Sequence, residues 1–240
     1  MSEGTIDLGH LFQAISGVLI QNQEELNQAD PINGNHGDHM VQIFRVATLA
    51  ALEKQETGLD EAMDYGATLL GQYEQNGSAR VYARGLSLLA EQFRQRGIRL
   101  SDLVAYTRRA IKEPEAEKIP GGEETARAEQ GEGARGGEIL KALLNALAAW
   151  ERTEEQAGEG ASSAGQEDPV SGKKSGGLNM SYMLGMGMSY LQAKGKGGER
   201  VDILADTVVS ASPLGKVPHR ARSGKLVFTT LLRALMDSAP

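Results

Sequence analysis

Apolar residues recur at three- and four-residue spacings along almost every segment of this chain, and alternating apolar and polar runs are nearly absent. A helix buries one stripe at a period near 3.6, whereas a half-buried strand needs a period of two, so the pattern restricts the fold to an all-α one. Ile6, Leu8, Leu11, Phe12, Ile15, Val18 and Leu19 mark a first helix ending near Gln21. Asp38 is positioned to cap a second, its carboxylate accepting from free first-turn amides, with Met40, Val41, Phe44, Val46, Leu49 and Leu52 on the apolar side. A third spans Leu59 to Gln75, with Met63, Leu69, Leu70 and Tyr73 towards the core. A fourth runs from about Ser78 to Arg96, and Ser101 is positioned to cap a fifth that buries Leu103, Val104 and Tyr106. Further helices are predicted over Ile139 to Trp150, Leu178 to Ala193, about Arg200 to Val209, and Lys225 to Met236.

Two stretches interrupt this pattern. Glu113 to Gly137 and Gly158 to Gly177 are rich in Gly and in charged or small polar residues, and cannot bury enough apolar surface to offset their ordering entropy. They read as flexible segments within a single domain, since 240 residues with 40% hydrophobic content build one sizeable core. The expected architecture is a bundle or barrel of about eight antiparallel amphipathic helices.

Charge and composition exclude several classes. A net charge of -7 without a long basic block argues against binding nucleic-acid backbones. No run approaches the roughly 18 apolar residues that span a bilayer, and the start, MSEGTIDLGH, lacks a secretory signal's pattern, so a cytoplasmic location without a membrane is expected. With no cysteine there is neither a disulfide framework nor a thiolate metal site.

The segment PINGNHGDHM, Pro31 to Met40, is the most chemically loaded stretch. It precedes a helix N-terminus, where free amides and the macrodipole favour an anion, so phosphate binding is one reading. A polar turn in which Gly34 and Gly37 supply positive φ is the other. His36, Asp38 and His39 together also offer donors for a softer divalent metal such as zinc, though their spacing matches no defined motif.

The longer stretch LNQADPINGNHGDHM, Leu26 to Met40, resembles the signature of the DhaL-type family, which comprises the ADP-binding subunits of dihydroxyacetone kinases and related fatty-acid kinase domains. Those proteins carry Asp-Gly-Asp-(His or Thr)-Gly-x-Asn-Met, and in the same register this chain reads Asn33-Gly34-Asn35-His36-Gly37-Asp38-His39-Met40. NGSARVYARG, Asn76 to Gly85, resembles the family's small-residue phosphate loop; GGEIL, from Gly136, sits where the family opens a helix with Gly-Thr; and SASPLGKVPHRARSGK, Ser210 to Lys225, resembles its final loop.

The resemblance implies a barrel of eight amphipathic helices binding ADP or ATP with magnesium at one end. It also implies a partner subunit that presents the acceptor, and it is compatible with a homo-oligomer. By the same resemblance, His36, Gly37, His39, Met40, Gly77, Ser78, Ala79, Arg80, Gly137, Glu138 and His219 fall at nucleotide or phosphate positions.

Departures from the family bear on activity. Asn33 and Asn35 replace metal-binding aspartates, leaving Asp30 and Asp38 as the nearby carboxylates, and neutral amides hold Mg²⁺ poorly. Glu138 replaces a threonine and would repel phosphate, whereas Arg80 is either a phosphate ligand or a solvated helix residue. The basic run Lys216, His219, Arg220, Arg222 and Lys225 is either an anion or acidic-partner site or a solvated loop. Four methionines lie between Asn179 and Tyr190, a composition that suits core packing more than an apolar-ligand cavity. No residue is assigned a catalytic role. The expectation is a DhaL-like phosphotransferase subunit with weak or lost kinase activity; the alternative is a non-catalytic partner- or ligand-binding scaffold of the same fold.

Overall fold

The computed structural model describes residues 8–73, 75–112 and 198–237, with the single positions 142, 146 and 195. Among them are eight α-helices, one short 3-10 helix and no strand. In chain order they are α1 (Leu8–Gln21), α2 (Gln23–Gln28), α3 (His36–Glu53), α4 (Leu59–Gly71), α5 (Gly77–Arg96), α6 (Leu100–Lys112), α7 (Arg200–Ser210), a 3-10 turn (Pro213–Lys216) and α8 (Pro218–Asp237). No described helix is long and apolar enough to cross a membrane. The Gly-rich segments at 113–137 and 158–177 and the Met-rich stretch lie outside the described residues. So do the expected helices over 139–150 and 178–193, apart from buried helical Ala142 and Ala146.

The periodicity explains the packing. On α1, Leu8, Leu11, Phe12, Ile15 and Leu19 form one buried stripe against α3 and α8. Helix α3 is covered on more than one side, by α1, α2, α4 and α5, and buries Met40, Val41, Ile43, Phe44, Val46, Ala47, Ala50 and Ala51. Its remaining exposed strip, through Gln42, Arg45, Leu49 and Leu52, corrects the expectation that the two leucines face inward. Phe44 joins neighbouring layers through edge-to-face contacts with Phe12 at 5.9 Å and Tyr82 at 5.6 Å.

Several helix ends differ from the expected ones, each for a local reason. Helix α3 starts at His36, before Asp38, so Asp38 sits inside the first turn and does not cap it. Helix α4 stops at Gly71, not Gln75, and α5 starts at Gly77 because the Asn76 side chain accepts from the Ala79 amide at 2.9 Å. At its other end, Gly97 adopts φ 60°, and the amides of Gly97 and Ile98 donate to the carbonyls of Arg94 and Phe93. Ser101 lies within α6, and the Arg99 amide just before that helix donates to Asp102 at 3.0 Å. Helix α8 begins at Pro218, seven residues ahead of the expected Lys225, since proline suits a first helical turn. The short α2 is absent from the expected helices; of its six residues only Leu26 is buried, too little to show a periodicity.

Candidate functional site

The chain from α2 to the start of α3 forms a tight corner. A Cβ on Gly37 would lie 2.0 Å from the Gln23 carbonyl oxygen and 2.9 Å from Asn27 Oδ1, so only glycine admits this approach. Gly37 is thus required for closeness and not for a positive φ, which among the corner's glycines belongs to Gly34 at 65°. Across the contact the Asp38 amide donates to Asn27 Oδ1 at 3.2 Å, while Asn27 Nδ2 and Gln23 Nε2 donate to the Asp38 carboxylate at 3.1 and 2.6 Å. Those two side-chain amides, Gln23 first and then Asn27, hold the Asp38 carboxyl below its ordinary value.

Between α2 and α3 the backbone wraps around buried Asp30. Its carboxylate accepts from the Ile32 amide at 3.0 Å and from the amides of Asn33 and Asn35. Burial raises this carboxyl, but the amides together with His219 opposite outweigh it and leave it below its ordinary value. His219 Nδ1 lies 3.9 Å from Asp30, and the His219 ring meets the His36 ring edge-on at 4.8 Å between centroids. His36 Nε2 in turn lies 2.8 Å from Ser223 Oγ, and that hydroxyl donates to the Arg220 carbonyl at 3.0 Å. Because the hydroxyl's single proton is committed there, His36 donates through Nε2–H. His36 is pushed down to about 4, first by burial and then by the charge of His219; Asp30 pulls upward, and Arg220 and His39 push downward again. Its imidazole is neutral at pH 7.

Three helix N-termini meet at this corner. The first turn of α3 contributes His36; the first turn of α8 contributes His219 and Arg220; and a Cβ on Gly77, which opens α5, would lie 3.5 Å from the Arg220 guanidinium. Asn76 ties α5 to α3, its Nδ2 donating to Gln42 Oε1 at 3.1 Å and to the His39 carbonyl at 3.4 Å. Each helix start carries partial positive charge, and a half-buried guanidinium placed among them is electrostatically unfavourable unless an anion joins it. Among the described residues, the buried atoms Arg220 Nε, Asn35 Oδ1 and Tyr82 Oη have no hydrogen-bond partner. Tyr82 senses Arg220, although burial dominates and pushes its phenol well above the ordinary 10.

The structure brings together most of the residues expected at this end and separates others. His36, Gly37, Gly77, Ser78, Ala79 and His219 lie at the meeting point or directly beneath it, and Asn35 borders it. Met40 is fully buried in the main core cluster, Arg80 points to solvent, and His39 is half-buried and engaged through its carbonyl. Gly137 and Glu138 lie outside the described residues. The basic run is not a loop: Arg222 pairs with Glu25, Lys225 pairs with Asp206 at 3.0 Å, and both sit on α8.

Metal ligation fits poorly. Asp30 is occupied by its own loop's amides, Asp38 faces Gln23 and Asn27, and Asn33 is exposed. Among the described residues no group of three or more His, Asp or Glu side chains is arranged to hold an ion; the carboxylates left for magnesium, Asp30 and Asp38, and the His36, Asp38 and His39 donors weighed for zinc are not gathered into such a group.

Sequence reasoning named Arg220 only as one member of a basic run, without singling it out, and missed Ser223 as the partner of His36 and Asn27 as the group that satisfies an α3 amide. The 187-residue separation between His36 and Ser223 leaves no local signal for their contact; Asn27 lies in the Leu26-Asn27 pair that opens the longer motif, and Arg220 and Ser223 lie in the stretch that resembles the family's final loop. No family model matches this chain, and neither a curated protein nor a solved structure matches it significantly.

Proposed function

We propose that this chain is a DhaL-like helical protein that binds a phosphorylated ligand of the adenine-nucleotide class where α3, α5 and α8 begin, with weak or lost phosphotransfer. The observation that supports it is the Arg220 guanidinium held among three helix starts with its Nε unpartnered, beside the His36 and His219 pair. Bidentate phosphate recognition suits a guanidinium, and the partial positive charge of the helix starts favours an anion beside it.

The same corner weighs against metal-assisted transfer. Phosphoryl transfer relies on cations that neutralise developing charge, and the carboxylates nearest this loop are already committed to amide donors. This favours the non-catalytic binding scaffold over a working kinase subunit served by an acceptor-presenting partner.

Calorimetric titration with ADP, ATP and pyrophosphate, each with and without Mg²⁺, tests the reading. The expected result is binding that Mg²⁺ leaves nearly unchanged, weakened about 10- to 100-fold in Arg220→Gln because a charge-assisted hydrogen bond contributes roughly 1.5–3 kcal/mol. Absence of binding by all three, or an Arg220→Gln protein that binds as well as the parent, refutes it. Strict Mg²⁺ dependence with turnover restores the kinase assignment.

A further inference from the structure

The chain contains two Asn-Gly pairs, Asn33-Gly34 and Asn76-Gly77, and the fold treats them oppositely. We propose that Asn33 is a site of spontaneous deamidation, which places a carboxylate on the loop beside the anion-binding end, whereas Asn76 is protected.

The reaction needs no co-reactant except water. The Gly34 backbone nitrogen loses its proton and attacks Asn33 Cγ; the new N–C bond closes a five-membered succinimide, and the bond from Cγ to the side-chain nitrogen breaks, releasing ammonia. Water then adds to either ring carbonyl and the ring C–N bond opens, giving aspartate or isoaspartate. Nothing is oxidised or reduced.

Exposure and a free side chain favour ring closure at Asn33. Both residues of the pair are exposed, and neither lies in a helix. Gly34 brings no side chain to shield its nitrogen, and even an added Cβ would have no neighbour nearer than the Asn27 carbonyl oxygen at 4.0 Å. Among the described residues, the Asn33 side chain has no hydrogen-bond partner. The Asn33 amide is held by Asp30, which fixes the residue's backbone but leaves its side chain to swing.

Asn76 differs in each respect. It is 4% exposed, its Oδ1 accepts from the Ala79 amide, and its Nδ2 donates to Gln42 and to the His39 carbonyl. Turning its Cγ onto the Gly77 nitrogen would break all of these and unwind the first residue of α5.

The consequence for ligand binding rests on the proposed anion site. A new carboxylate on this loop joins Asp30, which already faces His219, and so adds repulsion against an incoming phosphate. The isoaspartate product also inserts a methylene into the backbone among the amides of Ile32, Asn33 and Asn35 that hold Asp30.

The test is to age the purified full-length protein at mildly alkaline pH and physiological temperature and to map peptide masses over time. The expected result is a one-dalton gain on the peptide holding Asn33, none on that holding Asn76, and no gain at position 33 in Asn33→Gln, whose ring closure is slower. In denaturant both peptides should gain mass at similar rates. Equal rates in the folded protein, or an Asn33 peptide that stays unchanged, overturn the proposal. Pyrophosphate titration of fresh, aged and Asn33→Asp protein reads the second half: several-fold weaker binding in the last two is expected, and equal affinity overturns it. Fresh protein that binds no pyrophosphate counts against the proposed function, while the mass result still decides the modification.

Discussion

The buried imidazole of His36 makes stability depend on pH in a window where few other groups titrate. In the unfolded chain this histidine takes up a proton near its ordinary 6.5; in the fold it does so only near about 4. The unfolded state therefore binds more protons between these values, so the contribution is complete above about pH 6.5, declines as pH falls, and levels off below about pH 4. Each pH unit between the two values corresponds to about 1.4 kcal/mol, and integrating from about pH 7.5 to about pH 5 gives a loss of about 2 kcal/mol. Asp30 and Asp38, whose carboxyls are lowered, lose stability only around and below the ordinary carboxylate value of 3.8, beneath this window. Urea melts of the parent and His36→Gln at both pH values isolate this contribution, because glutamine keeps a donor for Ser223 but does not titrate. The parent should lose about 2 kcal/mol more than the variant; equal losses would refute the claim that this ring is held neutral by burial beside His219 and Arg220.

Other outcomes follow from packing and capping. Gly37→Ala drives a methyl group into the Gln23 backbone and should cost about 3 kcal/mol or more, lowering Tm by about 10 °C in a thermal melt; an unchanged Tm would mean α2 is not seated there. Asn76→Ala removes the α5 cap and the tie to α3, for a loss of about 1–2 kcal/mol by urea denaturation, with less than about 0.5 kcal/mol counting against the cap. Leu26→Ala, which removes the buried anchor of α2, should cost about 2–5 kcal/mol and raise amide exchange at Asp38, whose N–H is held by Asn27 on that helix; an unaltered exchange rate would detach the two.

How much of this was legible from the chain depends on distance along it. The stripe of α1 and most of α3 could be read because a 3.6-residue period is local. Leu49 and Leu52 were misassigned because hydrophobicity cannot say which face stays uncovered once neighbours occupy the others. Asp38 looked like a cap by residue type, but a carboxylate takes whatever donors tertiary contact brings, and Gln23 and Asn27 arrived first. His36, His219 and the Gly77 loop were picked out by motif, and their meeting with Arg220 is visible only once α8 starts at Pro218 instead of Lys225. Ser223 lies in the final-loop stretch, but nothing local to it points to His36, 187 residues away.

The gathering of three helix starts at one corner has a kinetic consequence. A chain of net charge -7 repels an anion at long range, whereas the attraction of helix ends and one guanidinium is felt mainly within a Debye length, about 8 Å at physiological ionic strength. Salt then acts on two steps in opposite senses: it screens the outer barrier and quickens capture, and it weakens the final contacts and shortens residence. A phosphorylated ligand at such a corner would arrive faster in moderate salt and leave faster too, so that its turnover at the site rises with ionic strength even where its affinity hardly moves.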